Sequence, residues 1–394
     1  MKKLMVLGAG ISQLPLIQTA RKMGLYVIVL SSPGNYPGFA WADQIYYEDT
    51  TNIEKVLEIS RIEQINGICT TGTDVAVKAI GRVADKLGLN GVSYEAALMS
   101  SNKWSMKQAF IDHGVRTAKF MRVTSLEEAY VAIDSLSLPL IFKAVDSGAS
   151  KGIVKVEHTS QVKYAYEAVM QATRQDYFIV EQFIEGIEFG AQAFIYNHTI
   201  QFVMPHGDLM FYGDAGVPIG HHVPYELPDR VASDIHMQLE RSVHALGLNN
   251  CAINADFIWN DQEVYVLEVG GRAGATCLPE IVSTFYGFDY YEQMVRVALG
   301  MNPNFQIYAS RPCACELLIA EETGEIVSIV DTNQPHPNII QISKDYAIGS
   351  RVSKFKVGTD RIGQIIVTGN SLDATMQLLA EVKRNITITI NHAV

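Results

Sequence analysis

Cysteine is scarce in this chain and odd in number: Cys69, Cys251, Cys277, Cys313 and Cys315. None stands at Cys-x-x-Cys spacing, which argues against a structural zinc site and fits a reducing compartment. No stretch of 18 apolar residues occurs, so no membrane span is expected. The apolar run at residues 4–7, after Met1-Lys2-Lys3, stops at Gly8-Ala9-Gly10 and reads as a first strand, not a leader. The cytoplasm is the expected location. Basic residues are outnumbered, 31 against 42, leaving a net charge of −11. That balance argues against nucleic acid or an anionic membrane as the main partner. Internal repeats, low-complexity tracts and charge runs are missing. So are a P-loop, because no Gly-Lys-Ser/Thr follows a first glycine at its spacing, and any Ser–His or Cys–His arrangement for nucleophilic catalysis.

What is present describes a globular α/β protein: 394 residues, 48% hydrophobic and 19% charged, enough for two or three domains. Strand-like runs at 4–7, 26–30 and 65–70 alternate with helical periodicity at 13–23 and 75–87, which predicts a doubly wound parallel sheet. The Gly8-x-Gly10 turn invites a dinucleotide reading. However, Gln13 holds the third fingerprint position and the second strand ends in Ser31-Ser32 without an acidic residue. Asp74, in Thr71-Gly72-Thr73-Asp74, leaves a strand end either to face substrate or to cap the next helix. A helix over 102–113 carries Lys103 and Lys107, and Gly114 ends it.

Three elements then carry chemistry. An apolar strand delivers Lys143, and the small-residue loop Ser147-Gly148-Ala149-Ser150-Lys151-Gly152 follows, with room for backbone N–H groups and a lysine to approach an anion. Next, the strand-like run 177–181 ends at Glu181, passes Phe183 and Ile184, turns at Gly186 and presents Glu188. Last, two strands with a turn at Asn260-Asp261 predict a hairpin that sets Asp256 and Glu268 near paired positions, where carboxylates can grip hard cations. Arg272 follows Gly270-Gly271, placed to reach a phosphate with two prongs. Residues 206–223 read as a glycine-rich polar loop carrying His206, Asp208, Asp214, His221 and His222, and a loop of that length faces substrate more often than it idles. A histidine–metal site is not expected there, because no further His or Cys sits at ligand spacing.

In this order the elements resemble the ATP-grasp superfamily, along residues 1–370, with carboxylate–amine ligases such as the L-amino-acid ligases and the carbamoyl-phosphate-synthase-like proteins as the nearest likeness. The resemblance implies an ATP-grasp fold: an amino-terminal doubly wound parallel-sheet domain (1–95), a nucleotide- and metal-binding region (96–300) and a small carboxy-terminal α/β lobe (301–394) that completes it. It implies that Lys103 and Lys143 contact the ATP phosphates while Ser147, Gly148, Ser150, Lys151 and Gly152 close over them. By the same likeness Glu181 and the backbone at Phe183 and Ile184 hold adenine, Glu188 holds ribose, and Asp256 and Glu268 hold magnesium or manganese. Arg272 and Lys151 meet the transferred phosphoryl group. His206, His221, His222, Asp74 and Gly274 are the expected substrate-facing residues. One departure stands out: many members of the superfamily carry Asn two residues after the second metal carboxylate, whereas Gly270 here removes a side-chain ligand expected for a second magnesium. The implied reaction phosphorylates a carboxylate and joins the acyl phosphate to an amine, with ADP and phosphate released, in a homodimer acting on small molecules. Two alternatives are a purine-pathway carboxylase or formyltransferase and a non-catalytic nucleotide-binding module. The first requires a phosphate patch from Arg21, Lys22, Lys55 and Arg61.

Overall fold

The computed structural model describes residues 1–148, 152–212 and 216–391. The described strands form four sheets. The first is parallel, in the order β3 (Gln44–Tyr47), β2 (Tyr26–Ser31), β1 (Lys3–Leu7), β4 (Gly67–Cys69). Its central strands are nearly continuous apolar runs because helices cover a parallel sheet on its faces. The Leu14–Lys22 helix starts with Pro15 in its first turn, and the Val77–Leu87 helix stops at Gly88, whose φ of +66° suits a left-handed cap.

The second sheet is antiparallel: β5 (Phe120–Val123), β8 (Phe178–Gln182), β6 (Leu140–Lys143), β7 (Ile153–Val156). The third spans eight strands: β13 (Val264–Gly270), β12 (Cys251–Trp259), β9 (Ile187–Tyr196), β10 (Thr199–Tyr212), β11 (Gly216–Val223), β14 (Cys313–Leu318), β18 (Gly363–Thr368) and β16 (Ile339–Lys344). A three-stranded sheet, β17 (Arg351–Val352), β15 (Gly324–Asp331), β19 (Ile386–Asn391), flanks the carboxy-terminal helix Leu372–Arg384. Among the described residues no helix is long and apolar enough to cross a membrane.

The eight-stranded sheet positions the site because its two faces differ in chemistry. On one face Phe189, Ala191, Ala193, Ala255, Phe257 and Val266 pack against Val231, Ile235, Leu239 and Val243 of the Asp229–Leu246 helix. Phe189 stacks on Phe257 with centroids 5.5 Å apart. Side chains alternate along a strand, so the intervening residues Glu188, Gly190, Gln192, Asn254 and Asp256 face the other way.

Residues 206–223 are not a loop: most belong to β10 and β11, antiparallel neighbours in this sheet. Glycine misled the sequence reading because here it serves close packing instead of turning the chain. A Cβ at Gly220 would strike the Cys315 carbonyl oxygen of β14, and one at Gly207 would strike the His222 ring.

Candidate active site

Two ion-pair systems hold the expected nucleotide lysines. The Lys103–Asp112 helix is capped by Asn102, whose side chain accepts from the Ser105 N–H, and its first residue points Lys103 at the hairpin. Lys103 Nζ lies 2.9 Å from Glu268 Oε1 and donates to the Ser147 carbonyl at 3.0 Å. From β6, Lys143 Nζ meets Glu181 Oε2 at 2.8 Å, while Lys107 Nζ meets the other oxygen at 3.2 Å and Thr117 Oγ1 at 2.5 Å. Lys107 is the partner that sequence reasoning missed. Its spacing of four residues from Lys103, on the same helix face, was the available signal.

Burial alone would raise the Glu181 pKa, but Lys107 and Lys143 outweigh it and bring it down to about 2. Burial pulls the Lys107 ammonium down to about 8, with Lys143 adding to the effect and Glu181 opposing it.

Asp256 and Glu268 are direct register partners across β12 and β13. Burial, then the Glu268, Asp208 and Glu188 carboxylates, push the Asp256 carboxyl up to about 8, with Arg272 opposing. Oxygen donors crowded enough to resist ionisation fit a hard divalent cation, whose charge would relieve them. The rung continues: Asp256 pairs with Gly190, and Gly190 with His206, so Glu268, Asp256, Gly190 and His206 cross four strands in line. Glu188, two residues before Gly190, shares this face. Burial raises its pKa, Lys143 opposes and Asp208 adds.

Beyond the hairpin, Arg272 is held in a two-pronged pair by Asp74: Nε to Oδ1 and Nη2 to Oδ2, both 2.7 Å. Burial works against the Asp74 charge, yet Arg272, with Lys103 behind it, holds its pKa below the usual carboxylate range. A Cβ at Gly270 would lie 3.2 Å from Asp74 Oδ1. The glycine at this position therefore makes room for Asp74, brought in from the first sheet. The Gly274 N–H donates to Gln192 Oε1 at 2.8 Å, which ties the following turn to β9.

The three histidines separate. His206 and His221 share with Asp208 the sheet face that carries Glu188 and Asp256, and each Nδ1 meets the same oxygen, Asp208 Oδ1, at 2.9 and 2.6 Å. His222 alternates to the opposite face, against Gly207 and Tyr225. The structure thus assembles a His–Asp–His cluster, which sequence spacing did not anticipate because strand pairing alone brings Asp208 and His221 together. Gly148 packs near Asp74, and Gly152, with φ of +68°, closes the β6–β7 connection against Ala144 and Ala172. Ser150, Lys151 and Asp214 lie outside the described residues. The Phe183 N–H donates to the Pro139 carbonyl, and Lys155 lies 4.3 Å over the Phe183 ring. Ile184 follows in the segment between β8 and β9. In the purine-type patch, Arg21 pairs with Asp43 and Lys55 with Glu58.

Residues 100–243 match the phosphoribosylglycinamide synthetase ATP-grasp (A) domain, and residues 316–391 match the L-amino acid ligase C-terminal domain 2. A phosphoribosylglycinamide synthetase structure from Anaerococcus prevotii is 35% identical, covers 99% of this chain and 100% of its own, and superposes with a TM-score of 0.87. The chain belongs to the ATP-grasp family. This ATP-grasp protein is therefore an ATP-dependent, ADP-forming carbon–nitrogen ligase. It also shares its fold with the L-amino acid ligase of Bacillus licheniformis: TM-score 0.82, 18% identity, 100% and 99% of the two chains covered. The alanine–anticapsin ligase of Bacillus subtilis is 25% identical over 66% of this chain and 61% of its own length.

Proposed function

We propose that this ligase transfers the γ-phosphoryl group of ATP to a substrate carboxylate and joins the resulting acyl phosphate to an amine, releasing ADP and orthophosphate. One observation carries the reading: Lys103 is ion-paired to Glu268 of the Glu268–Asp256 rung, and Arg272, held by Asp74, lies close enough to act on both carboxylates. Phosphoryl transfer asks the protein mainly for positioning and charge neutralisation, and these groups supply both. In this reading Lys103, Lys143 and the loop of Ser147, Gly148, Ser150, Lys151 and Gly152 hold the phosphates, exchanging the present carboxylate partners for phosphate oxygens. Glu181, with the backbone at Phe183 and Ile184, holds adenine, and Glu188 holds ribose. Asp256 and Glu268 would hold magnesium, which supplies charge to the β- and γ-phosphate oxygens. Arg272, oriented by Asp74, and Lys151 face the transferred group, and the Gly274 turn with His206 and His221 walls the acceptor pocket. The boundaries 1–95, 96–300 and 301–394 are the proposed domains.

A second reading, a phosphoribosyl acceptor, is favoured by the name of the 35% identical structure. Against it, two of the four candidate patch residues already have carboxylate partners, Arg21 in Asp43 and Lys55 in Glu58. The test of the main reading follows the bond that breaks. Substrates are first found by screening ADP release with amino acids singly and in pairs. The active one is then labelled with heavy oxygen in its carboxylate, and one labelled oxygen should appear in orthophosphate. Label in AMP, or no transfer, would overturn the acyl-phosphate route.

A further inference from the structure

Amide formation requires a proton acceptor as well as an activated acid. At neutral pH an amine is mostly ammonium and has no lone pair with which to attack an acyl phosphate. Most polar groups on this face of the sheet already have other work under the proposed ligation, on which this inference rests. Asp256 and Glu268 serve the cation, Glu188 the ribose, and Lys103 and Lys143 are themselves cationic. His206 is different. Its Nδ1 is committed to Asp208 Oδ1 at 2.9 Å, which fixes the tautomer with Nδ1–H donating and leaves the lone pair on Nε2. That Nε2 is buried and has no hydrogen-bond partner, and the residue is 2% exposed. A buried polar atom left unpaired is costly and calls for a functional reason.

Glycine at position 190 determines where Nε2 sits. A Cβ there would lie 2.5 Å from it, so the imidazole leans across β9 into the space a side chain would fill, one strand from Asp256. His221 bonds the same Asp208 oxygen at 2.6 Å and meets His206 edge-on, with centroids 4.8 Å apart, which locks the carboxylate in place. The titratable groups facing His206 are therefore Asp208 on its own strand, His221 on β11, Glu188 and Asp256 across β9 and β12, and His222 from the opposite face. Burial lowers the His206 pKa, the Asp208 hydrogen bond opposes and His221 adds, so the ring is held neutral and ready to accept.

We propose that His206 is the general base that deprotonates the incoming ammonium group, with Asp208 as its positioning residue. The step balances. The ammonium gives one proton to Nε2, and the freed nitrogen pair forms the C–N bond. The C–O bond to phosphate breaks with its electrons leaving on orthophosphate, and the second nitrogen proton departs with the phosphate. The imidazolium so formed lies against the Asp208 carboxylate, as in other Asp–His dyads.

Hydroxylamine separates this role from acid activation, because it is uncharged at neutral pH and attacks acyl phosphates without a base. The probe is hydroxylamine with each of the twenty amino acids as carboxylate, set beside amide formation between paired amino acids. His206→Asn keeps a side-chain nitrogen for Asp208 but removes Nε2, and His206→Gln is the second variant should the first not fold. We expect amide formation to fall by about 10²–10⁴ and hydroxamate formation to fall at least about tenfold less. The variant's amide rate should recover about tenfold per pH unit as the ammonium loses its proton to solvent unaided. Retention of the wild-type amide rate overturns the proposal. So does equal loss of both products, which would place the histidine before the amine step. Wild-type protein that makes neither product overturns the ligation reading and this inference with it.

Discussion

Replacing Glu181 with Gln should destabilise the protein in a pH-dependent way whose shape follows from the two lysines on that carboxylate. Glu181 is 2% exposed and Lys107 1%, with Lys143 on the second oxygen at 2.8 Å. Removing one charge from a buried, hydrogen-bonded ion pair typically costs about 3–5 kcal/mol, because it strands the partner. Here Lys107 has an escape. Its pKa is already down to about 8, and without the carboxylate burial and Lys143 lower it further. The unfolded chain holds lysine near ~10.4. Above pH 8 folded Lys107 is neutral in both proteins, so the deficit is constant and reflects mainly the lost pairing with Lys143. Below pH 8 the wild type keeps its proton while the folded variant releases it, although the unfolded variant still binds one. The deficit therefore grows by up to about 1.4 kcal/mol per unit between pH 8 and pH 6. Urea unfolding of both proteins at pH 6, 7, 8 and 9, followed by tryptophan fluorescence, measures it, since Trp104 adjoins Lys103. A deficit under about 1 kcal/mol, or one that does not change with pH, would refute the charge arrangement.

Other outcomes follow from the hairpin and the turn beyond it. Asp256→Asn and Glu268→Gln should keep the fold by circular dichroism but lower ADP release by about 10²–10³, or roughly 3–4 kcal/mol of charge stabilisation. A folded double amide with normal magnesium-dependent turnover would sink the metal assignment. Gly270→Asn adds a Cβ that would crowd Asp74 Oδ1 at 3.2 Å and push it off Arg272. Turnover should drop about tenfold, ~1.4 kcal/mol, with substrate KM little changed. Unchanged turnover would mean that Arg272 does not depend on Asp74.

Much of the molecule was legible in one dimension. Elements whose cause is local came out close to their true bounds: the apolar parallel strands, the Asn102-capped helix carrying Lys103 and the Asx turn at Asn260 that makes the Asp256–Glu268 hairpin. The sequence by itself also determined the family, since lysine, small-residue loop, Glu and Asp–Glu–Arg follow one another in a set order. Relations between distant segments were decided only in three dimensions. The 206–223 stretch looked like loop because its glycines and prolines mimic turn punctuation, whereas a packed sheet uses those glycines to let rings and carbonyls approach. Pairing of β10 with β11 then put Asp208 beside His221 and sent His222 to the opposite face. Asp74 and Arg272 are 198 residues apart, and no local pattern encodes their pairing. Local propensity acts over a few residues, but partners in a buried ion pair or a strand rung are chosen by which backbones the tertiary packing lays side by side.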